Sequence, residues 1–191
     1  MPDNGLTEQQ KKWMASVRAS LESSTGKTLD SWIEIAAGCP ETRPRARQKW
    51  LKDLHGLGQN YAMLVLGEVA RRSGETPRDP DTMKVSLWSD PNSAAIAQAL
   101  QARVDALPGS ITGQRKTYTT WSRNFAFAAA RPVKGGGVRL GLAVGPDVSP
   151  RLSEADKEGW SERLKSVVVL GSPDQVDQDL GDLMAAAFDL S

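Results

Sequence analysis

Residues 115–144 constrain the fold of this chain more than any other stretch, because they contain three consecutive runs of strand-forming residues. The runs read RKTYTTW, NFAFAAARP and VRLGLAV, at residues 115–121, 124–132 and 138–144. A period of two places alternate residues of such a run on opposite faces of a sheet. We predict a core face of phenylalanine, leucine and valine, and a second face with a floor of small residues, namely Ala126, Ala128, Gly141 and Ala143.

The connections between the three runs predict antiparallel hairpins. Ser122 and Arg123 form the first link, and Lys134 followed by three glycines forms the second. Glycine adopts positive φ at almost no steric cost, which suits the second link to a tight turn. A phosphate-binding glycine loop leads from a strand into a helix. Because this loop leads into the strand-forming run VRLGLAV, we interpret it as a hairpin turn.

Four helices are predicted before the sheet region. Apolar residues recur there at helical spacing, Thr28 is a typical helix-capping residue, and the strings GCP and HGLG interrupt the pattern. The predicted helices span residues 6–24, 29–37, 42–54 and 60–72. Residues 1–73 are therefore predicted to form a helical bundle domain.

The rest of the chain is predicted to be a linker and a sheet domain. Residues 74–90 contain GETPRDPD, with prolines, charges and no periodicity, which is typical of a linker. Residues 91–191 add a helix at 91–107, a fourth strand at 164–170 and a last helix from Pro173. The predicted fold class is α+β: a four-helix bundle, then a two-layer domain with a mainly antiparallel four-stranded sheet and two helices on one face.

Composition and terminal sequence limit the function classes. The N-terminal string MPDNGLTEQQKKW lacks the apolar region of a signal peptide, and no long apolar run exists. We therefore expect a cytoplasmic protein with no membrane partner. A single cysteine, Cys39, and a single histidine, His55, supply neither a disulfide nor a metal cluster. No cofactor and no metal are expected.

Two sets of motifs resemble known bacterial domain families. The string TGKTLDSWIEIA, followed by RQKWLKDLHGLGQNYAMLVL, resembles the helical domain of unknown function 4287 (DUF4287). The strings RKTYTTWSRNFAFAAARP, VRLGLAV, PRL and SPDQVDQDLGDLMAAAF resemble domain of unknown function 5655 (DUF5655). The resemblance implies a two-domain bacterial protein of uncharacterised function, and it transfers no catalytic residue.

An uneven charge distribution indicates a candidate ligand site on the sheet. Residues 103–139 carry seven Lys or Arg and one Asp, whereas residues 171–191 carry five Asp and no Lys or Arg. Either the acidic last helix packs near the basic sheet, or the sheet faces a polyanion. Cationic and aromatic side chains over a small-residue floor can stack bases and neutralise phosphates. The candidate ligand-binding residues are Arg115, Lys116, Tyr118, Trp121, Arg123 and Arg139.

Catalysis and base-specific DNA recognition receive less support. His55 fits a helix C-terminus, where the dipole favours a cation, and a Cys39–His55 nucleophilic pair requires the fold to join two distant positions. The helices on either side of HGLG could form a helix-turn-helix. The second of them lacks a face of side chains suited to base edges. The loop at 145–160 is long enough to be functional, which singles out Arg151, Asp156 and Trp160.

The sequence favours a non-catalytic binding or protein-interaction module. Its leading form is homodimerisation or protein binding through the small-residue sheet face and the apolar residues Val85, Leu87 and Trp88, and Ala128→Arg is the substitution expected to disrupt it. Two alternatives stay open. One is a weak, salt-dependent nucleic-acid or small-anion binder that uses the basic sheet face. The other is an enzyme of unknown class.

Overall fold

The computed structural model describes residues 7–74, 80–156 and 158–191. Within these residues the chain is α+β, with seven α-helices and one six-stranded antiparallel sheet. The chain divides into two compact units, Glu8–Arg78 and Asp79–Ser191. Each unit has its own hydrophobic core and is described by itself.

The helical unit consists of four helices that follow the predicted pattern closely. They are α1 (Glu8–Thr25), α2 (Leu29–Ala37), α3 (Pro44–His55) and α4 (Gln59–Arg72). The predicted start of the first helix, at residue 6, lies outside the described residues. The core between the helices is built mainly from Leu21, Trp32, Ala36, Leu51, Leu57, Ala62 and Val65, each at most 2% exposed.

Local capping chemistry fixes the helix boundaries in this unit. The side chain of Thr28 accepts a hydrogen bond from the backbone N–H of Ser31, which begins α2 as predicted. Gly56 adopts the left-handed conformation after α3, and its N–H bonds to the carbonyl of Lys52. Glycine is favoured there because a side chain would strain that backbone conformation.

The sheet unit begins with a helix inside the predicted linker. Helix α5 spans Pro80–Leu87, so this part of residues 74–90 is not an irregular connection; residues 75–79 lie outside the described part. Trp88 follows α5 and packs into the core of the unit at 8% exposure. This helix of 8 residues makes only about two turns, and it lacked a visible period because all its residues are at least partly exposed.

The sheet has six strands rather than the predicted four. They are β1 (Ile111–Gln114), β2 (Thr119–Ser122), β3 (Ala126–Pro132), β4 (Val138–Leu142), β5 (Ser153–Glu154) and β6 (Ser166–Leu170), in the order β1-β2-β3-β4-β6-β5. The two strands that were not predicted are the edges, which are short and carry little apolar signal. Residues 115–118, predicted as strand, form the turn between β1 and β2.

A β-bulge in β3 changes which alanines share a face. Trp121 pairs with Ala128, but Ser122 pairs with Ala126, so Phe127 is the extra residue. Beyond the bulge, Ala128 lies opposite Leu142 and Ala130 lies opposite Leu140, both on the core face. The prediction that Ala128 belongs to the second face was therefore wrong, because a shift of one residue exchanges the faces of a strand.

Two long helices cover the core face of the sheet. Helices α6 (Pro91–Asp105) and α7 (Gln178–Asp189) contribute Ile96, Leu100, Val104, Leu180, Met184 and Phe188 to the same cluster as the sheet residues. Phe127 meets Phe188 edge to face with ring centroids 5.4 Å apart. The prediction of two helices on one face is confirmed for these two elements.

Candidate functional site

A groove runs between α5 and α6 of the sheet unit, with the start of β2 at its floor. Its volume is about 830 Å³. Most of its exposed surface is apolar, although half of its lining residues have polar or charged side chains. Its walls include Val85, Trp88, Ala94, Ala97, Gln98, Gln101, Asp105, Thr119 and Trp121.

Both tryptophans of the groove are fixed by hydrogen bonds. The indole N–H of Trp88 donates to Oγ1 of Thr119 at 3.0 Å, and that hydroxyl donates to Gln114 at 2.8 Å. The indole N–H of Trp121 donates to the amide oxygen of Gln101 at 2.8 Å. The Gln101 amide nitrogen donates in turn to Asp105 at 2.7 Å. The polar groups of the floor are thus paired, and the indoles have defined positions.

The free polar groups of the groove lie on its helices. The side chains of Lys84 and Gln98 make no hydrogen bond or ion pair with any other residue in the described part of the chain. Val85 is 74% exposed, although it lies beside the apolar wall formed by Trp88 and Ala97. The groove therefore combines a fixed apolar floor with unpaired hydrogen-bonding groups on the helices that flank it.

The second face of the sheet carries a different arrangement, covered by the chain's own loop. Gly141 of β4 lies opposite Ala129 of β3, and neither offers a side chain larger than a methyl group. The indole of Trp160 lies on this floor so closely that a Cβ atom at position 141 would be 2.9 Å from its Cζ2 atom. The small residues serve the close approach of Trp160 to the sheet.

Next to Trp160, one carboxylate joins two arginines. Arg131 and Arg139 are direct cross-strand partners. Oε2 of Glu158 lies 2.6 Å from a guanidinium nitrogen of Arg131, and Oε1 lies 2.5 Å from one of Arg139. The carboxylate side chain is 5% exposed, against 37% and 29% for the two arginines. The Arg131 guanidinium also lies over the Trp160 ring, 5.2 Å from its centroid.

The structure brings only two of the six predicted ligand-binding residues into one cluster. Tyr118 meets Trp160 edge to face, with centroids 6.3 Å apart, and Arg139 reaches the same cluster through Glu158. The other four are dispersed: the exposed Arg115 and Lys116 in the β1–β2 turn, the buried Trp121 on the core face, and Arg123 over the ring of Phe188.

The small-residue face and its proposed test also need correction. Ala128 is fully buried on the core face, so Ala128→Arg would disrupt folding whether or not a partner binds. The residue that belongs with Gly141 is Ala129. The loop at 145–160 carries out two structural roles, since Trp160 covers this face and Arg151 pairs with Asp177 at 2.6 Å.

Sequence reasoning missed Glu158, Arg131 and Gln101 as site residues. The cross-strand position of Arg131 opposite Arg139 could have been read from the KGGG hairpin, because the turn fixes the register of the two strands. Glu158 reaches the two arginines, and Gln101 reaches Trp121, through tertiary contacts. No local pattern marks either residue.

The helical unit offers less chemistry. His55 is exposed at the end of α3, with its ring 4.6 Å from that of Trp50 and 6.3 Å from that of Trp32. Arg47, one of the basic residues of α3, donates to the carbonyl of Ala36 at the end of α2. That contact satisfies a helix C-terminus, so this cation already has a partner within the unit.

The described residues contain neither a metal-ligand cluster nor a membrane-spanning helix. In the described ranges, no three or more His, Cys, Asp or Glu side chains are grouped so that they could hold a metal ion. None of the helices that the structure describes is long and apolar enough to cross a bilayer.

The fold defines an α+β protein in which a helical unit precedes an antiparallel sheet unit with a helix-lined groove. The chain belongs to the family of the domain of unknown function DUF5655, whose family model matches residues 84–191, more than half of the chain. Residues 13–71 match the model of a second domain of unknown function, DUF4287. Both resemblances drawn from the sequence are thereby confirmed. Comparisons with curated proteins and with solved structures gave no significant match.

Proposed function

We propose that this protein is a non-catalytic binding module and that the groove between α5 and α6 binds a small, mainly apolar molecule. The observation that carries the proposal is a groove of about 830 Å³ whose exposed surface is mostly apolar and whose polar lining groups lie at defined positions. Small-molecule sites typically have volumes of about 300–1,000 Å³, apolar walls and few, well-placed polar groups. The apolar residues Val85 and Trp88, singled out in the sequence, form one wall.

The hydrogen bonds of the groove favour binding over catalysis. A nucleophilic hydroxyl needs a base that accepts its proton, but the Thr119 hydroxyl donates to the amide oxygen of Gln114, which is no base. Asp105 accepts from Gln101, and neither Cys39 nor His55 belongs to this unit. The paired groups hold the indoles in place, so the groove is formed before a ligand arrives, which lowers the entropic cost of binding.

Narrowing the groove is expected to weaken binding of an apolar probe. Ala97→Leu adds three carbon atoms to the groove wall while keeping a good helix former in α6. We expect the wild-type protein to bind anilinonaphthalene sulfonate with one saturable site, and the variant to bind it about tenfold more weakly, a loss of about 1.4 kcal/mol. Fluorescence titration, with energy transfer from tryptophan, measures both affinities.

Ala95→Leu is the matched control, because Ala95 is a half-buried alanine of the same helix that does not line the groove. Its affinity for the probe should equal that of the wild type. Near-ultraviolet circular dichroism must be native in all three proteins, since loosely packed states also bind this dye. Equal affinities for all three proteins, or no saturable binding by the wild type, would contradict the proposal.

A further inference from the structure

The two arginines on the second face of the sheet are an arrangement that folding alone does not favour. Arg131 and Arg139 lie directly opposite each other on β3 and β4, and like charges in that position repel. An anion that lies between them offsets this repulsion. In the structure that anion is the carboxylate of Glu158, each oxygen of which faces one guanidinium.

The geometry of the cluster is that of a carboxylate receptor. Arg139 donates to Oε1 of Glu158 from Nε at 2.7 Å, and Arg131 donates from Nη2 to Oε2 at 2.6 Å and from Nη1 to the Glu158 backbone carbonyl at 3.2 Å. Paired guanidinium groups match the planar, two-oxygen shape of a carboxylate. The arginines keep 37% and 29% of their side-chain surface exposed, so solvent ions reach their outer edges.

A further donor stands in the same cluster without a partner. The indole N–H of Trp160 is buried and makes no hydrogen bond to any residue that the structure describes. A buried donor left unpaired is costly, and natural structures rarely keep one without a reason. Here it lies over Gly141, beside a ring that also contacts the Arg131 guanidinium. The cluster therefore contains an indole N–H donor that Glu158 does not use.

We propose that Arg131 and Arg139 form a carboxylate-binding site and that Glu158 is its internal ligand, which competes with an external carboxylate for the same two guanidinium groups. The tethered Glu158 has the advantage of a high effective concentration. Free small carboxylates are therefore weak competitors, whereas a ligand with further contacts, such as to the Trp160 indole N–H, gains an advantage. The site lies on the sheet face opposite the helices and is independent of the α5–α6 groove.

Removing the internal ligand tests the proposal directly. The probe is sodium acetate, titrated against sodium chloride at constant ionic strength into the wild-type chain and into Glu158→Ala. The Trp160 indole N–H resonance, assigned by its loss in Trp160→Phe, reports on the site. We expect acetate to raise the melting temperature of Glu158→Ala and to move this resonance, with an affinity at least about tenfold higher than for the wild type.

Two controls separate a carboxylate site from general effects of salt. Acetamide has nearly the shape of acetate without its charge, so it should leave Glu158→Ala unchanged. Adding Arg139→Gln to Glu158→Ala should abolish the acetate response, because half of the receptor is then absent. If Glu158→Ala responds to acetate no more than the wild type does, Glu158 has only a structural role as the partner of the two arginines, and the proposal is overturned.

The test stays decisive if Glu158→Ala does not fold in chloride. In that case the variant is refolded in acetate and in chloride, and circular dichroism measures the native fraction in each. Recovery in acetate alone supports the site, and failure in both salts contradicts it. Titration of the wild-type chain with succinate and with a peptide that has a free C-terminus distinguishes the source of a natural carboxylate. The competitor that binds more tightly identifies the class of ligand, a small dicarboxylate or a peptide C-terminus.

Discussion

Replacing Gly141 by alanine is expected to destabilise the sheet unit by about 1–3 kcal/mol, the usual cost of overpacking a tight site. Gly141 is a buried residue of β4 without a positive φ, so the cost comes from contact and not from backbone strain. The added Cβ would lie 2.9 Å from Cζ2 of Trp160 and 3.0 Å from Cε2. Real Cβ atoms do not approach that closely, so the indole must leave its place under the Arg131 guanidinium.

A double-mutant cycle with Trp160→Ala isolates this contact. If the indole is the obstacle, Gly141→Ala should cost little in the Trp160→Ala background, and the coupling energy should be about 1–2 kcal/mol. Hydrogen exchange of the β4 amides and thermal unfolding of the full chain measure the stability of the four proteins in the cycle. Gly171→Ala is the control, because its Cβ would meet Gln175 at an ordinary 3.6 Å. Full additivity of the two substitutions would disprove the close contact.

The elements that could be predicted from the sequence are those whose information is local. Helix α2 begins at Leu29 and ends at Ala37, as predicted, because Thr28 caps its first turn and a glycine follows its last. The KGGG turn was recognised for the same reason, since Gly135 and Gly136 adopt positive φ there. Caps and turns depend on residues within a few positions of each other, and one sequence displays them directly.

The features that were missed depend on contacts between distant positions. Edge strand β5 is two residues long and owes its existence to pairing with β6, and β1 is set by the register of β2. The bulge at Phe127 is likewise visible only once β2 is aligned with β3. Because the bulge exchanges the faces of the alanines beyond it, a correct strand assignment still led to a wrong assignment of faces.

The candidate sites were partly visible in the same sense. The sequence pointed to Arg139, Tyr118 and Trp160 as notable residues, and the structure gathers them around one cluster. The sequence alone could not show that Glu158 pairs with Arg139, because the two residues are 19 positions apart along the chain. The groove was still harder to predict from the sequence, because one of its walls is helix α5, which lies in a stretch with the composition of a linker.

Replacing Glu68 by glutamine is expected to cost the helical unit about 1.5–3 kcal/mol at neutral pH, the range for hydrogen bonds to charged groups. The Glu68 side chain of α4 is 10% exposed and accepts from Arg71 at 2.5 and 3.1 Å, with Arg18 and Arg72 each 3.6 Å away. Arg72 also reaches Asp30 at 2.6 Å. One carboxylate thus joins α4 to α1, and through Arg72 to α2, and without its charge three arginines repel one another.

Hydrogen exchange of the α4 amides measures this loss of stability within the helical unit. A single free energy of unfolding for the whole chain would not, because the chain has two units. The control is Asp53→Asn, which breaks the exposed pair of Asp53 with Lys49 four residues away in α3. Exposed pairs of this kind contribute about 0.3–0.5 kcal/mol. If Glu68→Gln costs no more than the control, the buried carboxylate does not stabilise the unit.

The pH dependence of the same variant provides an independent check with a definite sign. The hydrogen bond from Arg71 and, after it, the charges of Arg71, Arg18 and Arg72 hold the pKa of Glu68 below its ordinary value of 4.5, against an opposing effect of burial. A lowered pKa means that the folded state favours the charged carboxylate, so its stabilising contribution is complete above about pH 4.5 and is lost as pH falls through the folded-state pKa.

Glutamine, in contrast to Glu68, does not titrate. The difference in stability between wild type and Glu68→Gln should therefore be constant from neutral pH to about pH 5 and should shrink at lower pH. A difference that stayed constant down to pH 3 would show that the variant loses packing and not charge.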